Sequence, residues 1–140
     1  MANTLGIVKP DGVHRKLVGR IISKIENAGL ILRGMKILRL TKEQAKEFYA
    51  VHKGQPFYET LVEFMSSGPI VVMVVGGHNS IDRWRDLMGA TDPARAKYNT
   101  IRREYGTSIE KNVVHGSDSP ATAKTEVAFF FGEDEILPKE

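Results

Sequence analysis

The sequence predicts an α+β domain, a four-stranded antiparallel sheet with its elements in the order βαββαβ and helices on one face. Three observations carry that expectation. Val18, Ile21, Ile22 and Ile25 recur at i, i+3, i+4 and i+7, the spacing that lines one face of a helix. Ile70 to Val75 is an unbroken apolar run between Gly68-Pro69 and Gly76-Gly77, the pattern of a central strand covered on both faces. Setting aside two inserted helices, the remaining segments follow the order of a split βαβ unit, the ferredoxin-like arrangement.

Taken in order, Leu5 to Val8 reads as a short buried strand that ends at the turn Lys9-Pro10-Asp11-Gly12. The striped helix follows, with Gly29 placed to end it in a left-handed conformation. Leu30 to Leu40 suits a longer strand. Thr41 and Gln44 have capping-box spacing, so a helix starts there and runs through Tyr49. A second inserted helix follows Pro56, with Leu61, Phe64 and Met65 facing inward, and stops at Gly68-Pro69. After the central strand, Asn79 or Ser80 can cap a helix whose stripe is Ile81, Trp84, Leu87 and Met88, ending at Gly89. From Ala90 to Asn112 no apolar period survives, and a loop of that length inside a compact domain is usually functional. Ser119-Pro120 can open a short helix. Val127 to Phe131 is then expected as the last strand, with an exposed acidic tail over about 132–140.

With 140 residues, 41% hydrophobic and 26% charged, and no repeat or linker, the chain is expected to form one domain over 1–140. No apolar run approaches the ~20 residues of a membrane helix, and no secretory signal opens the chain, so a cytoplasmic location without membrane association is expected. The absence of cysteine excludes disulfides, thiolate metal sites and a cysteine nucleophile. Charge is unevenly spread. Between Arg83 and Lys111 stand seven basic residues against four acidic ones, so this window carries the whole net charge of +3. Such a concentration suits a local anionic ligand, although a solvated loop and helix face would look the same.

No glycine-rich phosphate loop, dinucleotide fingerprint or zinc helix is present. If phosphates are handled, side chains must do it. The densest polar cluster is Asn112-Val113-Val114-His115-Gly116-Ser117-Asp118-Ser119. Gly116 would allow a turn directly after His115 and expose its imidazole, a side chain both nucleophilic and largely neutral near pH 7. Glu126 could orient that ring as a carboxylate does in a catalytic triad, and Ser117 could add a supporting hydrogen bond. The residues alone equally allow a surface-loop histidine followed by helix-capping chemistry.

The octapeptide around His115 resembles the signature of the phosphorylated histidine in nucleoside diphosphate kinases. Four further blocks agree in order and spacing: Ile7-Val8-Lys9-Pro10-Asp11-Gly12-Val13, Met65-Ser66-Ser67-Gly68-Pro69, Leu87-Met88-Gly89-Ala90-Thr91-Asp92-Pro93 and Thr100-Ile101-Arg102. The resemblance runs from about Thr4 to Phe131. It implies an elaborated ferredoxin-like domain and a ping-pong reaction in which His115 accepts the γ-phosphoryl of a nucleoside triphosphate and passes it to a nucleoside diphosphate. It further implies that Lys9 contacts the transferring phosphate and Tyr49 helps to place both. Arg85, Thr91 and Arg102 would hold the other phosphates, Asn112 the ribose, and Phe57 and Ile109 the two faces of the base. Mg²⁺ would bridge phosphate oxygens with little protein ligation. Stacking reads only a π-face, so broad base and ribose or deoxyribose tolerance is expected. A homo-oligomer, tetramer or hexamer, is implied, with the long loop near an interface. The chain departs from the family pattern at Gly76, where Glu is usual, and at Asn99, where Gly is usual.

Two other classes remain open at this stage. A basic ferredoxin-like domain could bind nucleic acid if aromatic side chains alternated on an exposed sheet face. Val127 to Phe131 is the one candidate segment, with no aromatic partner in Leu5 to Val8, so nucleic acid is not expected as the main partner. A catalytically silent nucleotide-binding subunit is the other.

Overall fold

Four strands and seven α-helices are described by the structure, a computed structural model covering residues 2–138. The elements are β1 (Ala2–Val8), α1 (Pro10–His14), α2 (Val18–Asn27), β2 (Ile31–Leu38), α3 (Lys42–Phe48), α4 (Tyr58–Met65), β3 (Ile70–Gly77), α5 (Ser80–Met88), α6 (Ile101–Tyr105), β4 (Val114–Gly116) and α7 (Pro120–Phe130). The sheet order is β2-β3-β1-β4, and every pairing is antiparallel. This is the ferredoxin-like sheet expected from the element order.

Strand β3 is central, and all eight of its residues are buried. Its alternate side chains divide between two cores, as the two-residue period of a strand requires. Val71, Met73 and Val75 meet Ile21 and Ile25 of α2 and Trp84 and Met88 of α5. Ile70, Val72 and Val74 join Ala45, Tyr58, Val62 and Met65 from α3 and α4, with Val127 and Phe130 from α7. One face thus carries the two crossover helices, as expected. The other face is closed by the inserted helices and α7, which corrects the placement of helices on one face only and agrees with the two-sided covering expected for the Ile70–Val75 run. Each fully buried aliphatic side chain contributes about 2 kcal/mol through removal from water.

The last strand lies elsewhere than predicted. Residues Val127 to Phe131 end α7, and the fourth strand is the three-residue β4 containing His115. Ser119 starts α7 with a complete capping box: its hydroxyl accepts from the Thr122 N–H, and the Thr122 hydroxyl meets the Ser119 N–H. Pro120 follows at the first helical position. Ala123, Val127 and Phe130 then fall at i, i+4 and i+7 and are buried. With both sheet faces covered and this aromatic run helical, the nucleic-acid reading loses its platform.

Other differences are smaller. The stretch from Ala90 to Asn112 is not all loop, since it holds a 3₁₀ turn at Pro93–Arg95 and α6. Asn79 takes φ 54° and makes no side-chain cap, while the Ser80 hydroxyl donates to Ala2 O at 2.9 Å. In α4 the buried residues are Tyr58, Val62 and Met65, with Leu61 and Phe64 only partly covered. The acidic tail exposes its carboxylates but docks its backbone: Leu137 N donates to Arg33 O at 2.9 Å, and Glu135 pairs with Lys36 at 2.9 Å. No helix among the described residues is long and apolar enough to cross a membrane.

Replacing Ser119 by Ala removes the capping acceptor of α7. Urea unfolding is expected to show a loss of about 1 kcal/mol, with no change in the strand content seen by circular dichroism.

Candidate active site

Three backbone devices bring the polar residues together. The first is the short strand β4. It pairs His115 with Ile7 on β1, and Trp84 Nε1 donates to the His115 carbonyl at 3.2 Å. Gly116 belongs to this strand and makes no turn, correcting the sequence expectation. Its hydrogen side chain is required because a Cβ there would stand 2.6 Å from Met88 and 2.7 Å from Trp84.

The second device is a reversal at Val113, which has φ 76° and is fully buried. Val114 N donates back to Asn112 O at 2.9 Å, closing a γ-turn of the rare, positive-φ kind. Such a conformation at a β-branched residue costs about 1–3 kcal/mol and persists only where neighbours enforce it. Gly12 makes room for it, since a Cβ at residue 12 would meet the Val113 side chain at 3.0 Å and Val8 at 2.7 Å. The third device is α6. Thr100 caps it through Oγ1, which accepts from Arg103 N at 3.3 Å, and the helix buries Arg102.

The resulting cavity measures about 760 Å³. Its walls include Lys9, Tyr49, Phe57, Arg85, Thr91, Arg102, Ile109, Asn112 and His115, so every residue singled out for nucleotide contact lines one space. Phe57 and Ile109 are 48% and 59% exposed at the mouth. Phe57 therefore stands free of the core. Glu126 and Ser117 form the support behind His115. His115 Nε2 lies 2.9 Å from Glu126 Oε1, and Ser117 Oγ donates to that same oxygen at 2.8 Å. Glu126 reaches the ring from the middle of α7, and not from the start of the last strand expected at Val127 to Phe131. Because a carboxylate oxygen only accepts, the neutral imidazole in this contact is the tautomer with its proton on Nε2 and its lone pair on Nδ1. Edge contacts from Phe48 and Tyr49, with centroids 5.6 and 6.2 Å away, hold the imidazole.

Positive charge is kept out of water here. Lys9 is 7% exposed, and its ammonium donates to Asn112 Oδ1 at 2.8 Å. Asn112 in turn donates through Nδ2 to Thr91 O at 3.0 Å. Burial, reinforced by Arg102, pushes the Lys9 pKa down to about 8. Arg102 is 8% exposed and donates to Gly89 O at 3.0 Å and Val114 O at 2.7 Å. Burial and Arg85 push it down to about 10, which still leaves it cationic at neutral pH. Burial and Glu126 push the Tyr49 phenol upward, so it remains a neutral donor. Its hydroxyl has no hydrogen-bond partner among the described residues.

Sequence reasoning missed part of the wall. Leu61, Met88, Glu110 and Asp118 also line the cavity, and His52, which the sequence allowed near the site without giving it a role, stacks on Tyr49 with its ring centre 5.2 Å from that of Phe57. The helical stripes assigned Leu61 and Met88 to the core alone. The two departures from the family pattern have structural reasons. A Cβ on Gly76 would stand 2.5 Å from the buried side chain of Arg33, and Asn99 takes φ 70°, a conformation asparagine tolerates nearly as glycine does.

A family model described as nucleoside diphosphate kinase matches residues 2–136. The chain belongs to this family. It is 55% identical over 134 residues to the nucleoside diphosphate kinase of Persephonella marina, covering 96% of each chain. With that of Desulfosudis oleivorans it shares 53% over 137 residues, 98% of this chain and 99% of the other. Among solved structures it resembles the nucleoside diphosphate kinase of Aquifex aeolicus, with a TM-score of 0.94 and 42% identity over 97% and 99% of the two chains. It also resembles the Halobacterium salinarum nucleoside diphosphate kinase in complex with CDP, with a TM-score of 0.95 and 41% identity over 99% and 92%. The protein is accordingly a nucleoside diphosphate kinase-family phosphotransferase acting on nucleotides.

The buried ammonium makes stability depend on pH. Above about 10.5 Lys9 is neutral whether folded or unfolded, and below about 8 the folded state must hold the charge. The penalty therefore grows as pH falls between those values, to about 3 kcal/mol. Urea unfolding of the wild type and Lys9→Met from pH 7 to 10.5 is expected to show the wild type gaining on the variant as pH rises.

Proposed function

We propose that His115 Nδ1 is the atom that receives the phosphoryl group, in a ping-pong exchange between nucleotides. The observation that carries this reading is the 2.9 Å contact of His115 Nε2 with Glu126, on the wall of a cavity that also holds Lys9, Arg85 and Arg102. In the first half-reaction the Nδ1 lone pair attacks the γ-phosphorus, the bond to the β–γ bridging oxygen breaks, and a nucleoside diphosphate leaves. In the second, a diphosphate oxygen takes the group from Nδ1 and the imidazole is restored. Phosphorylation makes the ring cationic, and the Glu126 carboxylate stabilises that charge through Nε2–H.

Phosphoryl transfer asks mainly for position and charge neutralisation. Lys9, aided by the Tyr49 hydroxyl, is assigned to the moving group, and Arg85, Thr91 and Arg102 to the other phosphates. Asn112, braced between Lys9 and Thr91, is assigned to the ribose. The exposed Phe57 and Ile109 side chains would hold a base by its faces, which supports broad base tolerance. Mg²⁺ fits this site as an ion carried on phosphate oxygens. Asp118 and Glu110 are the acidic residues of the wall and would hold waters on the ion, which would neutralise phosphate charge. The whole chain, 1–140, is proposed to act as one domain in the cytoplasm, where its nucleotide substrates are. A homo-oligomer is also proposed, supported by the exposed apolar side chains of Ile37 and Met35 on edge strand β2 and Tyr98 on the long loop.

Incubation with γ-labelled ATP and Mg²⁺ is expected to leave acid-labile, base-stable label on the protein. His115→Ala should abolish it while nucleotide binding persists, and full exchange activity in that variant would remove His115 from the reaction. Arg102→Ala is expected to weaken ADP binding at least tenfold, about 1.4 kcal/mol, by calorimetry. Glu126→Gln should slow labelling more than it weakens binding, and equal labelling rates would argue against its orienting role.

A further inference from the structure

The strained peptide at Val113 is gripped at both ends by one segment. Lys9 N donates to Val113 O at 2.7 Å, and Asp11 Oδ2 accepts from Val113 N at 3.2 Å. We infer that Asp11 is a positioning residue for phosphotransfer: its carboxylate holds the γ-turn at Val113, and that turn sets the places of Asn112 and His115. The inference rests on the reading of His115 as phosphoryl acceptor.

Asp11 is absent from the wall of the nucleotide cavity. It lines a separate hollow of about 620 Å³ with His14, Arg15 and Lys111. Asp11 therefore acts on catalysis from outside the cavity, first of all through the backbone it holds. Removal of the carboxylate leaves the buried Val113 N–H without its acceptor and the positive φ without its restraint. Asn112 then loses its fixed approach to the Lys9 ammonium, and His115, two residues beyond the turn, loses its alignment with the cavity. Asp11 has a second effect through charge. The groups facing the Lys9 ammonium are Arg102 from α6, which disfavours its proton, and Asp11 from α1 and Glu110 from the loop, which favour it. Asp11 thus helps the buried ammonium keep its charge at working pH.

Two variants separate these effects. Asp11→Ala removes acceptor and charge, whereas Asp11→Asn keeps an amide oxygen for Val113 N–H and removes only the charge. Single-turnover labelling by γ-labelled ATP is expected to be at least tenfold slower in Asp11→Ala. In Asp11→Asn it should recover to within about threefold at pH 7, with the alkaline limb of its pH–rate profile moved to lower pH. A labelling rate in Asp11→Ala within twofold of wild type would overturn the inference. So would an Asp11→Asn enzyme as slow as Asp11→Ala, or one whose alkaline limb has not moved. Should Asp11→Ala fail to fold, the neutral-pH rate and alkaline limb of Asp11→Asn decide alone. Absence of label on the wild type would instead fault the assignment of His115 and leave a distinct signature.

Discussion

Two cations buried side by side, Lys9 and Arg102, are the constraint around which the site is built. Moving a charge out of water is expensive, and proteins usually meet that cost with an opposing carboxylate. Here no ion pair to either residue is formed among the described residues. Dipoles do the work instead: Asn112 Oδ1 for Lys9, and the carbonyls of Gly89 and Val114 for Arg102. Carbonyl dipoles fix the cations without cancelling their charge. Under the proposed assignment, a polyphosphate entering the cavity would relieve a tension that the folded chain already carries.

Fixing those dipoles requires an unusual backbone. Asn112 and Val114, on either side of the turn at Val113, supply acceptors to Lys9 and Arg102 respectively. Straightening that turn would disturb both at once. The surrounding sequence is adapted to prevent this, with Gly12 leaving space for the Val113 side chain and the Lys9 N–H, just past the end of β1, holding its carbonyl. Strain at one residue and rigidity in its neighbours are two aspects of the same arrangement.

Much of this is legible in the sequence. The α2 stripe, the Thr41 capping box and the β3 run stated their structures directly, because each pattern follows from local geometry and burial. The assembly of Lys9, Arg102, Asn112 and His115 was legible through motif resemblance, since residues about a hundred positions apart reveal no proximity by spacing alone. Val127 to Phe131 misled because five apolar residues suit a strand as well as a helix end. The deciding period, Ala123–Val127–Phe130, began earlier, at the cap already recognised in Ser119. Strand β4 was invisible because three residues cannot show alternation, and its pairing with β1 depends on tertiary contacts. The γ-turn was hidden because valine is among the residues least expected at positive φ.

The cavity has a kinetic consequence. His115 and the residues assigned to both nucleotides share one bed, so donor and acceptor must take turns in it. Under that assignment, a diphosphate arriving before the histidine is charged would occupy the bed unproductively and keep the triphosphate out. Under the proposed mechanism, turnover in a mixed pool would therefore follow the ratio of triphosphates to diphosphates more closely than the abundance of either.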